Sequence, residues 1–160
     1  MVIAGKPSNY MPFALRPARP GIFTIPGTPV NGGPLYASAL NQDGATNSQR
    51  NPAPRGSIVA PFGTGFGSLS RTPADGTLVP LPLSTHTLNM EEFCCENEHF
   101  ISANAGPAQW AGQAPLEFAG LSQISVRVPD TGSSLFLTES EGDPSSTLSV
   151  FSNRVNLWIK

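Results

Sequence analysis

Proline and glycine placement constrains this chain more than any other feature. Residues 1 to 88 hold 13 of the 17 prolines and 11 of the 16 glycines, so 24 of those 88 positions neither continue a helix nor sit well inside a strand. Through the first 35 residues the prolines (Pro7, Pro12, Pro17, Pro20, Pro26, Pro29 and Pro34) recur every three to six positions. Each biases its predecessor toward β or polyproline geometry, which excludes helix there. Short apolar groups stand between them, notably Phe13-Ala14-Leu15 and Ile22-Phe23-Thr24-Ile25. A solvated linker needs no such anchors, so residues 1 to 35 read as an extended arm held by something outside itself.

The clearest paired signal comes later, in Leu121 to Leu137. Ile124, Val126 and Val128 alternate with Ser125 and Arg127, and the alternation resumes at Leu135 and Leu137. Pro129-Asp130-Thr131-Gly132-Ser133 between them has turn chemistry, and the whole reads as a β-hairpin. Further strands are expected at 99–103, 116–118, 147–151 and 155–159, with Leu78, Leu81, Leu83 and Leu88 on short edge strands separated by Pro80 and Pro82. Asn89-Met90-Glu91-Glu92 has the form of a capped helix start, predicting about two helical turns. Residues 38 to 57 are small, polar and turn-rich, and read as a long surface loop. The expected fold is all-β: a β-sandwich or jelly-roll-like domain over 77–160 with one short helix, preceded over 1–76 by a long extended Pro/Gly-rich N-terminal arm and loops.

Charge divides where the prolines do. The first 88 residues carry six Arg or Lys against two Asp, whereas the remaining 72 carry three against nine acids. Opposite signs suggest that one half lies against the other, in the same molecule or a neighbour. Only 12% of residues are charged, about half the usual share, which suits a protein that buries surface in an assembly. No run approaches the roughly 18 apolar residues of a membrane span, and MVIAGKPSNY lacks the basic and apolar segments of a signal peptide. Neither a membrane nor nucleic acid is expected as a partner: Arg16, Arg19, Arg50 and Arg55 are sparse and have no interleaved aromatic platform for bases.

Motifs with chemistry in them lead to no activity. Gly63, Gly65 and Gly67 resemble a phosphate-cradling loop, but Pro73 and Gly76 forbid the helix such a loop needs, so a flexible aromatic-bearing loop is expected. Cys94 and Cys95 are adjacent, with Cα atoms about 3.8 Å apart, too close for a disulfide between them. His86, His99, Glu96 and Glu98 lie near them in sequence without the paired anchors of a zinc site, so neither metal nor cofactor is expected. The two histidines stand in no triad context. Asp130-Thr131-Gly132-Ser133-Ser134 resembles the aspartic-protease signature, which would imply Asp130 as a catalytic carboxylate. Pro129 replaces the apolar residue before the Asp, however, no second copy supplies the paired acid, and no apolar-apolar-Gly segment follows.

The overall layout, a β domain with a long Pro/Gly-rich arm, little charge and no cysteine framework, resembles the capsid decoration or cement proteins of tailed phages. That resemblance implies a non-enzymatic virion protein on the outer capsid surface, synthesised in the host cytoplasm. It would bind major capsid protein subunits, and form a homo-oligomer through arm exchange. The expected contacts are Phe13, Arg16, Arg19, Phe23, Arg50 and Arg55 from the first half and Glu91, Glu92, Glu96 and Glu98 from the second. Apolar anchors would supply affinity, and charge would set register and approach rate. The alternative is a carbohydrate- or receptor-binding β-sandwich, for which Trp110 is the candidate stacking residue and Trp158 is assigned to the core.

Overall fold

The structure, a computed structural model, describes residues 2–3, 5–7, 12, 18–25, 35–74, 77–79, 81–86, 89–95, 103–128, 130, 134–140 and 149–160. Every regular element among them is a strand: β1 (Val2–Ile3), β2 (Lys6–Pro7), β3 (Gly21–Ile22), β4 (Ala39–Asn41), β5 (Ile58–Thr64), β6 (Asn89–Cys95), β7 (Ala103–Pro107), β8 (Trp110–Gln113), β9 (Ser122–Arg127), β10 (Ser134–Ser140), β11 (Ser149–Phe151) and β12 (Val155–Asn156). All ladders between these strands are antiparallel, as expected of an all-β chain.

The described core is built on β5 and β9. Both alternate strictly between buried and more exposed residues, and they pair with Val59 opposite Val126 and Phe62 opposite Gln123. The ladder skips Ala60 and Pro61, because Pro61 has no N–H to give. Outside β9 lies β8; outside β5 lie β3 and β4, one beyond the other. Val59, Ile124, Val126 and Val128 bury their side chains together with Ile22, Ala37, Ala39, Ala53, Phe66, Val155 and Leu157. Each large aliphatic removed from water contributes about 1.5–3 kcal/mol, which makes this cluster the main described source of stability. A second sheet runs in the order β11-β10-β6-β7, with β12 also on β10.

The core ignores the division between an arm ending at 76 and a domain starting at 77. Ala18 and Ile22 are buried, Arg19 N–H donates to the Gly65 carbonyl, and Phe23 N–H donates to Phe62. Residues 18–25 are thus part of the chain's own body. The arm's other residues up to 35 fall outside the described set, apart from the β1–β2 ribbon, Gly5, Pro12 and Leu35.

The C-terminus ties the molecule together. β12 pairs with β10 in one sheet, while Asn156 bridges to Tyr36 and Ile159 to Ala53 beside the other. Two side-chain amides, one exposed and one buried, imitate strand partners. Asn153 accepts from Ile22 N–H at 2.7 Å and donates to the Ile22 carbonyl at 2.9 Å. Asn47, fully buried, accepts from Trp158 N–H and donates to both the Trp158 carbonyl and Asn41 Oδ1. Residues 38–57 are therefore not one surface loop: Asn47 and Ala53 are anchored inside, and the exposed parts are Gln42–Thr46, Gln49–Arg50 and Pro54–Arg55. The tip holds its turn through Gly44 at φ 80° and an Asp43 carboxylate accepting from Ala45 N–H.

Three further expectations fail for the same reason, that pairing partners overrule local signals. The helix start at Asn89 is strand β6, which pairs along its whole length with β10 and on its other side with β7. An N-cap is worth about 1 kcal/mol, too little against two ladders that satisfy the backbone on both edges. The 121–137 segment forms two strands but no hairpin. Both edges of β9 are taken by β5 and β8, and Val128 exchanges backbone bonds with Ser57 and Gly56, so β10 pairs elsewhere. Residues 116–118 form a turn, with one isolated bridge from Phe118 to Leu78. The expected strands at 147–151 and 155–159 appear in shorter form as β11, β12 and the Ile159 bridge, and 99–103 lies outside the described residues except for Ala103.

Candidate interaction surface

Leu78, Leu81, Leu116 and Phe118 go outward where the sequence places apolar residues inward. Thr77–Val79 runs antiparallel to Glu117–Ala119: Val79 N–H donates to Glu117 and Ala119 N–H to Thr77. Leu78 and Phe118 are the non-hydrogen-bonded pair between those two bonds, the position at which side chains on one face come closest. Val79 turns into the core, and its neighbour Leu78 therefore turns out. Leu78 is 58% exposed and Phe118 63%; nearby in the chain, Leu81 is 76% and Leu116 80% exposed. These four make an apolar ledge that carries most of the exposed large hydrophobics among the described residues, the others being Phe23 and Leu35. Leu83 is half-buried, and Leu88 is outside the described set.

Leu116 is also strained. Its φ is +63°, in the left-handed region that Gly or Asn occupies at low cost and that costs a branched residue about 1–2 kcal/mol. Pro115 before it and Gly120 at φ 105° after it shape the turn. Nothing inside the molecule gains from a leucine here, since its side chain is exposed.

Beside the ledge, residues 84–86 extend the β8 edge. Thr85 bridges Gly112, and Gly112 must be glycine because a Cβ would strike the Ser84 carbonyl. The loop after β5 then folds back across this strip: Phe66 is buried, Leu69 bridges His86, and Ser70 N–H donates to the Thr85 carbonyl. The Gly63–Gly67 stretch is thus a strand end and a buried hook rather than a flexible loop, with Gly65 and Gly67 at positive φ. Under the hook, His86 Nε2 lies 2.9 Å from Ser122 Oγ and its ring is tilted against Phe66. Burial lowers the His86 pKa from its ordinary value, against a smaller opposing pull from the backbone of Gly67 and Ser68. His86 Nδ1 nevertheless has no hydrogen-bond partner of good geometry. A His–Ser pair suggests a nucleophile, but Ser122 is buried, so a substrate carbonyl has no approach to its hydroxyl. The pair is a packing feature that sequence spacing could not announce, because 36 residues separate its members.

The expected contact residues scatter. Phe23 is exposed beside buried Ile22, and Arg19, Arg50 and Arg55 are exposed on separate turns. Glu91 and Glu92 stand in β6 in register with Thr138 and Leu137. Phe13, Arg16, Glu96, Glu98 and His99 lie outside the described residues. Asp130 is exposed, and the other residues of its Asp-Thr-Gly-Ser motif before Ser134 are also outside. Trp110 is half-buried and its ring lies against Gly112, leaving less of it for stacking than an open sugar platform would offer. Trp158, assigned to the core, is half-buried and stacks on Tyr36 at 3.9 Å with the rings 6° apart. No cluster of metal-ligating side chains and no helix long and apolar enough to cross a membrane occurs among the described residues. No protein-family model, curated protein or solved structure matches the chain.

Proposed function

We propose that this chain is a non-enzymatic structural protein that binds the outside of a capsid shell, its two sheets forming a β-sandwich and the Leu78–Phe118 ledge docking on major capsid subunits. The carrying observation is the ledge itself. Four large apolar side chains are held in water, two of them on a paired backbone and one at a strained φ. Such patches on soluble proteins mark interaction sites, and strain tolerated at an exposed residue points to a role outside the fold. The low charge content supports the same reading. Four side chains alone do not supply the roughly 800 Å² per partner of a stable binary interface. Such a patch suits a protein whose many copies each add a weak contact to a repeating lattice, as decoration proteins do.

Co-sedimentation with shells assembled from a major capsid protein tests this. The Leu78→Ser/Phe118→Ser double variant should stay in the supernatant while melting near the parent temperature. Pelleting like the parent would place the contact elsewhere on the chain.

A further inference from the structure

We infer that His86 is an acid-sensitive latch: with the ring neutral, its bond to Ser122 holds the Phe66–Ser70 hook and the Ser84–His86 strip on β8 and β9, and charging the ring releases them. The geometry is that of a keystone. Strip and hook meet at His86, whose own N–H donates to Ala111 and whose bridge partner is Leu69. Gln113 N–H donates to the Ser84 carbonyl and Ser70 N–H to Thr85 on either side. The ring reaches past the hook to Ser122 and packs on Phe66, the hook's buried residue.

A second proton has no good place to go. Ser122 Oγ can act as donor to a neutral Nε2 or as acceptor from a charged one, but Nδ1 is buried with only the poorly placed backbone of Gly67 and Ser68 to receive a proton, and that pull is smaller than the cost of burying the charge; Phe66 offers no counter-charge. The groups facing the ring contain no carboxylate to compensate. Residues 66–70, 84–85 and 110–113 carry no ionisable side chain, and β9 carries only Arg127, which donates to the Gly56 carbonyl. Arg71, just past the hook, donates to the Pro82 carbonyl.

The sign follows from the lowered pKa. In the folded chain the ring resists protonation, whereas in the opened form it binds a proton near the ordinary 6.5. Protection by the latch is complete above that value and declines as pH falls through it, the loss ending below the folded pKa. The latch is measured without any partner, so it stands or falls separately from the docking reading.

The test is amide hydrogen exchange on the whole chain at pH 7.5 and 5.0, corrected for intrinsic rates. The amides of Ser70, His86 and Gln113 should lose protection at least tenfold at pH 5.0, while Val59 and Val126 in the β5–β9 ladder hold theirs. The His86→Gln variant, uncharged at both pH values, should show no such difference. If that variant does not fold, Ser122→Ala serves: it should lower protection at pH 7.5 toward the acid level of the parent. Equal acid sensitivity in His86→Gln, an equal loss across the β5–β9 ladder, or a Ser122→Ala protein as protected as the parent at pH 7.5 would each overturn the latch.

Discussion

The centre of the β5–β9 ladder and the ledge at 77–79 and 117–119 are made of the same kinds of residue on the same kind of backbone, and they send their apolar side chains to opposite places. In β9, Ile124 and Val126 find the core because β5 presents Val59 and the hook presents Phe66 across from them. At the ledge, Val79 takes the inward position and forces Leu78 outward, where no described part of the chain covers it. Burial is thus decided by what faces a strand, and hydrophobicity alone does not choose the face. The contrast also separates two kinds of contribution: the centre stabilises the fold, and the ledge is free to serve a partner.

The largest test of that contrast removes a whole edge. Deleting residues 1–25 takes Ala18 and Ile22 from the core, leaves part of β5 unpaired and strands the Asn153 amide, so the isolated chain should lose cooperative melting by circular dichroism. A truncated chain that melted like the parent would return those residues to the status of an external arm. Next, Phe66→Ala empties a fully buried site, and chemical denaturation should show a loss of about 3–5 kcal/mol. Asn47→Ala leaves the Trp158 N–H and carbonyl without their side-chain partner, at about 2–3 kcal/mol in the same assay.

The ledge should answer in the other direction. Leu116→Gly relieves a left-handed leucine and should raise stability by up to about 1 kcal/mol while weakening shell binding, since the strained side chain is what the partner would touch. Destabilisation on that change would mean that Leu116 packs against the chain after all. The smallest effect belongs to Leu78→Ser/Phe118→Ser, which should cost under about 1 kcal/mol because the pair is exposed. If the double variant unfolds as readily as Phe66→Ala does, the distinction between centre and ledge collapses.

Much of the fold was legible in the residues because some signals are local. Prolines at close spacing forbid helix whatever surrounds them, and the alternation through Ile124, Val126 and Val128 names a strand and its buried face. Turn chemistry at Asp43-Gly44 likewise acts within a few bonds. Of the expected contact residues, Phe23, Arg19, Arg50 and Arg55 are exposed, and none of them belongs to the ledge. The ledge residues were read as edge-strand apolar positions, since nothing in Leu78-Val79 says which of two apolar neighbours will meet the core.

The local residues of this chain determined that it would be a strand-rich protein with its backbone forced into extended and turned segments. Tertiary structure decided which strands meet. It gave β9 to β5 instead of β10, turned a capped helix start into β6 between two ladders, and set Asn47, buried, and Asn153, at the surface, as substitutes for strand partners. It also placed His86 against Ser122 and left Leu78 outside. The physical reason is range. Sterics and turn bonds act between neighbours in sequence, whereas burial and sheet pairing are properties of whatever the rest of the chain brings to the same place.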